Sequence, residues 1–501
     1  MKLNVVFLLF GLVSSATAVS FEIPITNAPG DQLYPDVCWD GEAFWVVWQD
    51  EELGTIRGIR VNEGGEFLTG EVELMPKSND GTPVRYPCVA AGGGRIGAEC
   101  RVKIGYTEFG KEAWGVGHNE FDFDGNPLHK PTLFPNNDNE CTTSSTPCLL
   151  YGKNHFYSIH NRSFETPGDF HGSSGAFGFD STMEYTQIWQ SSEPELEFFP
   201  PVACWDGERL VIIYHSLWKR AFLGAFLDDM LEPQGFGEDF TIGRLVLTIT
   251  TSGDPKFQSL TLSKSRYLLV SEARDNHNDI AGLIWFDVLD STCMPIKDSA
   301  TLLDFNPSIK CRYPDAISDG NDFIAVWENR FEDKTVHLYG IEVDTFGNTL
   351  KSGYVVWKGP SNQQPALAYG GGKYLLTWSD NRDGDFDIRG MIFDTLEVFE
   401  GVKEMPEPLE ECVLKASRNP FRDKVDIYLS QKGGGDDNMT VLIFDMLGRK
   451  VNTLKLSPGE DRISWEGRDT EGRILPAGIY FATLNSGNGP VSQTARIVKV
   501  R

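Results

Sequence analysis

The chain of 501 residues sets 45 Lys and Arg against 72 Asp and Glu, a formal net charge of −27. So acidic a balance argues against nucleic acid and anionic lipid as partners and leaves divalent cations, basic surfaces or solubility as its uses. Aromatic residues make up 12% of the chain and Gly fills 51 positions, the composition of an all-β protein with many tight turns and room for two or more domains.

Lys2, an apolar run over residues 5–13 and the Ala16-Thr17-Ala18 pattern read as a secretory signal peptide, residues 1–18. Its apolar core is too short to span a bilayer, and no later stretch reads as a transmembrane span. The mature chain is expected to begin at Val19; losing Lys2 moves its net charge from −27 to −28. Nine cysteines in an exported chain permit disulfides, with Cys88/Cys100, Cys141/Cys148 and Cys293/Cys311 as close pairs in sequence, and the odd count leaves at least one thiol over. There is no CxxC to suggest structural zinc.

From there the chain repeats itself. Pro35, Pro87, Pro147, Pro201, Pro255, Pro314 and Pro365 each open an apolar run, at spacings of 52, 60, 54, 54, 59 and 51 residues. The clearest copy, QQPALAYGGGKYLLTWSDNRDGDFDIRGMIFDT at 363–395, alternates short apolar runs with Gly, Asp and Asn turns, which is hairpin grammar. A period near 50 residues built of strands alone predicts propeller blades, because one small sheet cannot bury both faces by itself. Seven copies predict a seven-bladed β-propeller over residues 19–400. Fourth, outer strands are expected at 71–75, 245–249 and 354–357, and the segment 21–26 is expected to close the ring by pairing with the third strand of the last copy. Trp48, Trp327 and Trp378 end second strands and are expected to pack between blades rather than stack on sugar.

Residues 401–414 contain EMPEPLEE and read as an acidic Pro/Glu linker. Alternating segments at 425–429, 441–444, 451–454, 463–465, 478–484 and 494–500 then predict a small Ig-like β-sandwich over 415–501. Within it, Asn419-Pro420-Phe421, IFDMLGRKV (443–451, with Gly448), WEGRDTEGRILPAGIYFATL (465–484, with Trp465, Gly467, Gly478 and Tyr480) and the basic end KVR occur in order. These motifs resemble the C-terminal sorting domain of type IX secretion cargo and the related FlgD-type immunoglobulin-like module. The resemblance covers about a sixth of the chain. It implies the export machinery as a partner, passage across the outer membrane of a Gram-negative bacterium, and release or surface attachment. The repeats also resemble the W-x-D-x-R…D-I-x-G-x-x-F-D signature of large exported bacterial proteins, carried here by Trp378, Asp380, Arg382, Asp387, Ile388, Gly390, Phe393 and Asp394.

Motifs for chemistry are sparse. H-E-x-x-H, G-x-S-x-G, a phosphate-cradling Gly loop and the full S-x-D-x-G-x-x-W box of sialidase-like propellers are all missing. Two constellations remain. Asp380, Asp383, Asp385 and Asp387 on one hairpin could supply oxygen ligands to calcium, although Asp and Gly are also what such turns require. His160, Asp169 and His171 fall in HNRSFETPGDFHGSSG, read as a long loop that could bind a metal or ligand or could be a tolerated insertion. The resulting expectation is a secreted or cell-surface, non-catalytic binding or display module, its surface ligand or polysaccharide unnamed. The rival is a secreted polysaccharide hydrolase or lyase with its site at the channel mouth.

Overall fold

The computed structural model describes residues 20–398 and 412–500, apart from 107–111, 135–140, 145–146, 167–168, 180–184, 191–200, 217–220, 233–239, 245–257, 276–279, 297–300, 304–308 and 357–359 in the first stretch and 418–419, 430–439, 446–449, 457–461, 487–488, 491 and 494 in the second. The segments expected as signal peptide and, up to residue 411, as linker lie outside the described residues. Every regular element among those described is a β-strand, and no helix is long and apolar enough to cross a membrane.

Residues 20–398 form seven sheets. The first takes Gln32–Trp39, Phe44–Asp50, Thr55–Val61 and Val72–Met75 in spatial and sequence order. Later sheets open on Arg85–Gly92, Cys148–Gly152, Val202–Trp205, Gln258–Ser263, Lys310–Ser318 and Asn362–Gly370, strands that contain the repeat proline or follow it closely. The third sheet gains an extra strand, Cys141–Ser144. The seventh is completed from the far end of the chain: Ser20–Pro24 pairs antiparallel with Asp387–Phe393, Ile23 opposite Gly390. This is the pairing the sequence suggested for the N-terminal segment. The fourth sheet differs from expectation, since its outer strand is Phe240–Arg244 and residues 245–249 lie outside the described set.

Consecutive sheets bury their faces against one another. Trp48 packs with Ala366 and Leu375 between the seventh sheet and the first, Trp327 with Leu268 and Phe286 between the fifth and sixth, and Trp378 with Ile324 and Val355 between the sixth and seventh. All three indoles are essentially inaccessible. Glycine makes the closest approaches possible. A Cβ on Gly370 would lie 2.0 Å from the Trp39 ring, and one on Gly152 would lie 2.5 Å from the Trp205 ring. In each case an aromatic from the next sheet's first strand lies flat over a residue that has no side chain.

The first strands are tied by polar groups as well. Asp36 Oδ2 accepts the Val89 N–H at 2.9 Å, and Asp315 Oδ2 accepts the Leu367 N–H at 2.8 Å. The residue before the repeat proline is left-handed in four sheets: Tyr34, Tyr86, Tyr313 and Gln364 have φ of +55°, +55°, +52° and +57°. A β-bulge marks each of these places. A bulky residue ahead of proline disfavours that conformation. The freed N–H groups are captured by a neighbouring sheet: Tyr86 N donates to Gln49 Oε1 at 3.1 Å, Gln364 N to Glu328 Oε1 at 2.6 Å, and Tyr34 N to Gln364 Oε1 at 2.8 Å.

Residues 412–500 make two further sheets facing each other. One runs Arg462–Trp465, Val425–Leu429, Cys412–Ala416, Ser492–Gln493; the other runs Lys450–Lys455, Thr440–Asp445, Gly478–Ser486, Gly489–Pro490, with Ala495–Lys499 also on Gly478–Ser486. The strand Cys412–Ala416 begins inside the stretch read as linker. Trp465 centres this core, with the Phe421 and Tyr480 rings at 5.6 and 5.0 Å.

Replacing a fully buried indole leaves a cavity that the flanking sheets cannot fill, so Trp378→Ala is expected to lower the unfolding free energy by about 3–5 kcal/mol. A denaturant titration of the full chain checks this; a change below about 0.5 kcal/mol, the size of a surface effect, would contradict the packing described.

Candidate functional site

The Asp-rich hairpin fastens the N-terminal strand. Asp380 faces Asp387 across it. Asp380 Oδ2 accepts the Trp378 indole N–H at 3.2 Å and Arg382 Nε at 2.9 Å, and Oδ1 takes the Arg382 backbone N–H at 2.8 Å. Asp383 pairs with Arg389; Asp385 Oδ2 accepts the Gly30 N–H at 3.2 Å; Asp387 Oδ1 accepts the Thr26 hydroxyl at 3.2 Å. Arg382 and Arg389 both reach Glu22, at 2.8 and 3.1 Å. The four carboxylates thus serve separate donors instead of converging on one point. Among the described residues no group of three or more His, Cys, Asp or Glu is placed to hold a metal ion. The W-x-D-x-R signature gains a physical meaning: the Asp satisfies a buried indole N–H and anchors the Arg. Trp327 Nε1 uses Asn329 in the same way, at 2.9 Å.

The segment read as a long loop around His160 is a hairpin. His155–Thr166 pairs with Asp169–Phe179, His160 opposite Gly175 and Phe164 opposite His171. Four residues of strand therefore separate the levels of His160 and His171, about 13 Å, and Asp169 sits two residues further on, opposite Thr166. The register spreads the three candidates along a ladder; the side chains of Asp169 and His171 lie outside the described residues. His160 itself is only 1% exposed.

What His160 joins is a buried polar chain between the second and third sheets. Its Nδ1 lies 3.2 Å from Ser158 Oγ, and that hydroxyl donates to Glu99 Oε2 at 2.8 Å. Glu99 Oε1 meets His118 Nδ1 at 2.9 Å; His118 Nε2 is 3.6 Å from Glu120 Oε1, and Glu120 Oε2 is 2.7 Å from Arg95 Nε. Glu99, His118, Glu120 and Ser158 are fully buried. Strand pairing builds the array, since Glu99 faces His118 and Gly97 faces Glu120 in the second sheet. The Phe156 ring closes it, 5.9 Å from His118 and under the Arg95 guanidinium at 5.4 Å. Burial opposes a charge on His118, but hydrogen bonds and charge from Glu120 and Glu99 outweigh it and raise its pKa above 6.5. The motif search missed this chain because its members are scattered along the sequence. Its one signal is Glu99, a carboxylate standing where the matching second strands carry Val47, Ile159, Ile213, Val270, Val326 and Thr377.

Two of the three suggested disulfide pairs lie apart, and the side chain of Cys141, a member of the third, lies outside the described residues. Cys88 and Cys100 belong to cores on opposite faces of the second sheet, as do Cys293 and Cys311 about the fifth. Cys38, Cys88, Cys100, Cys148, Cys204, Cys293 and Cys311 are free thiols.

In the C-terminal sandwich, Trp465 Nε1 donates to Arg468 O at 2.9 Å and the Tyr480 hydroxyl to Pro476 O at 2.7 Å. Gly467 has φ +66°, and a Cβ there would come 2.5 Å from Lys499. Phe421 bonds both ways with the last strand, accepting from Val500 at 2.8 Å and donating to Val498 at 2.9 Å. Pro420 is exposed, Gly478 opens its strand, and Asn419 and Gly448 lie outside the described residues. The motif residues are thus core and turn positions of one folded unit. Residues 419–500 match the model of the secretion system C-terminal sorting domain. The protein is accordingly secreted or carried on the outer surface of a Gram-negative bacterium, and the sorting domain implies contact with the type IX secretion machinery.

No curated protein matches the sequence. Among solved structures, the polysaccharide lyase Uly1 aligns over 75% of this chain and 99% of its own, at 10% identity and a TM-score of 0.48. The acylaminoacyl peptidase of Pyrococcus horikoshii aligns over 82% of this chain at 10% identity and a TM-score of 0.41, and the chain spans 59% of that enzyme's length. PorZ, a surface component of the type IX secretion system of Porphyromonas gingivalis, aligns over 93% of this chain and 70% of its own, at 14% identity and a TM-score of 0.30.

Two outcomes follow. With its folded pKa raised, His118 contributes stability that is fully present below about pH 6.5 and is lost as pH rises through the folded value. The gap in melting temperature between the native chain and His118→Gln is therefore expected to shrink as pH is raised; a gap that widens would show the reverse linkage. With each carboxylate of the Asp380–Asp387 hairpin already engaged, exchanging calcium for a chelator is expected to leave the melting temperature unchanged. A rise of several degrees with calcium would contradict that.

Proposed function

We propose that the chain is an exported, closed seven-bladed β-propeller working as a non-catalytic binding or display module, delivered by its C-terminal sandwich. In this reading residues 1–18 are a cleaved signal peptide, 19–400 the working part, 401–414 the linker and 415–501 the sorting unit. The match of residues 419–500 to the sorting domain carries the proposal. The seven successive sheets, each with an apolar interface to the next, support the ring, as does the strand Ser20–Pro24 on the seventh sheet. The non-catalytic part is supported by the burial of the Glu99–His118–Glu120 array, because a general acid or base has to reach its substrate. The loops that lead into each first strand, on the same face as those joining second and third strands, form the proposed ligand face.

Intact mass of the protein from culture medium and cell surface tests the delivery. The expected species lacks both residues 1–18 and the sandwich, and a chain truncated after residue 411 is expected to remain in the periplasm. Recovery of the full C-terminus outside the cell, or export of the truncated chain, would overturn it. Release of new reducing ends from a polysaccharide by the purified protein would overturn the non-catalytic part.

A further inference from the structure

A cleft of about 450 Å³ opens where the first sheet passes the chain to the second, lined by Met75, Lys77, Ser78, Lys103, Ile104 and Lys130. We propose that it binds a carboxylate-bearing sugar unit of an anionic glycan, an assignment that rests on the binding-module reading above.

Charge comes first. In a chain of net charge −27, three lysines meet at one cleft whose lining, among the described residues, holds a single carboxylate, Asp80. Asp80 is used by Lys103, at 3.4 Å. Lys77 and Lys130 are exposed and, among the described residues, take part in no hydrogen bond or ion pair. Two uncommitted ammonium groups are therefore presented in a field that is otherwise repulsive to anions. A lysine head is a compact point charge with three donors, suited to a carboxylate that arrives in more than one orientation.

The second observation is independent of charge. Ser78 is 7% exposed and lines the cleft, yet its hydroxyl has no hydrogen-bond partner. A buried unpaired hydroxyl is costly, and a ligand hydroxyl would satisfy it. The loop that holds Ser78 is preformed: Ser78 N donates to Thr82 O at 3.0 Å, Gly81 N to Ser78 O at 2.8 Å, and Thr82 N to Asp80 Oδ1 at 3.0 Å. Little ordering would be needed on binding. Apart from Asn79, the remaining wall is apolar, with Met75, Val102 and Ile104 joined by Pro76, Gly105 and Pro131. A uronic acid ring combines what these walls ask for: an apolar C–H face, hydroxyls and a carboxylate on one rigid unit. The volume lies in the range of small-molecule sites.

Calorimetry on the mature full-length chain, with oligogalacturonate and a maltooligosaccharide of equal length as probes, tests this. Binding of the acidic oligomer alone is expected, weakening as salt is raised. K77Q/K130Q is expected to reduce affinity about tenfold, and Ser78→Ala about fivefold. Both lysines are exposed, so an unchanged melting temperature confirms that the double variant is folded. Equal binding of the two oligomers overturns the proposal, and displacement by polyglutamate at matching affinity overturns the sugar assignment. Oligogalacturonate binding of unchanged affinity in K77Q/K130Q overturns the cleft while leaving the binding-module reading in place. Cleavage of the oligomer overturns the module reading and leaves the cleft's occupancy standing.

Discussion

A four-stranded sheet with two apolar faces is insoluble by itself, and every larger feature of residues 20–398 answers that constraint. Each face is covered by the next sheet, through cores that hold Trp48, Trp327 and Trp378. The sheets approach closely enough only because Gly152 and Gly370 leave room for Trp205 and Trp39. Polar groups then fix the spacing. Asp36 and Asp315 reach across to the next first strand, while the left-handed residues before Pro35, Pro87 and Pro365 hand their N–H groups to Gln or Glu of a neighbouring sheet.

The interface between the second and third sheets departs from this scheme. Where its neighbours pack Val and Ile, it buries Glu99, His118, Glu120 and Ser158. Replacing hydrocarbon with paired charges seldom adds stability, but leaving any one member unpaired is costly, which favours the alignment of the two sheets that pairs them. The polar chain lies where a long hairpin, His155–Thr166 with Asp169–Phe179, is added to the third sheet.

Much of the architecture was legible because it is periodic. Prolines near every fiftieth residue, Gly and Asp turns between apolar runs and Trp at the ends of second strands are one-dimensional signals, and the sheets fall where they point. The extra strand Ser20–Pro24 was legible too, since a repeat that lacks its fourth strand leaves an edge to fill. Other features hid for identifiable reasons. The Gly- and Ser-rich sequence at 170–175 lacks the apolar alternation of a half-buried strand, so the hairpin looked like loop. The left-handed Tyr34 and Tyr86 contradict the usual preference ahead of proline and are held by partners in other sheets. The carboxylates from Asp380 to Asp387 looked like a cation site because the sequence does not show that Thr26, Gly30 and two arginines claim them.

The strand that completes the seventh sheet has a consequence in time. Ser20 pairs with Phe393, so a strand near the start of the chain finds its place only once a strand about 370 residues later has formed. Contacts so distant in sequence form slowly. Until then the N-terminal segment and the edge it will cover are both open to foreign strands. Completion of the seventh sheet thus depends on joining two segments far apart in one chain. Because the joining strand lies at the N-terminal end, removal of the C-terminal sandwich takes no strand from it.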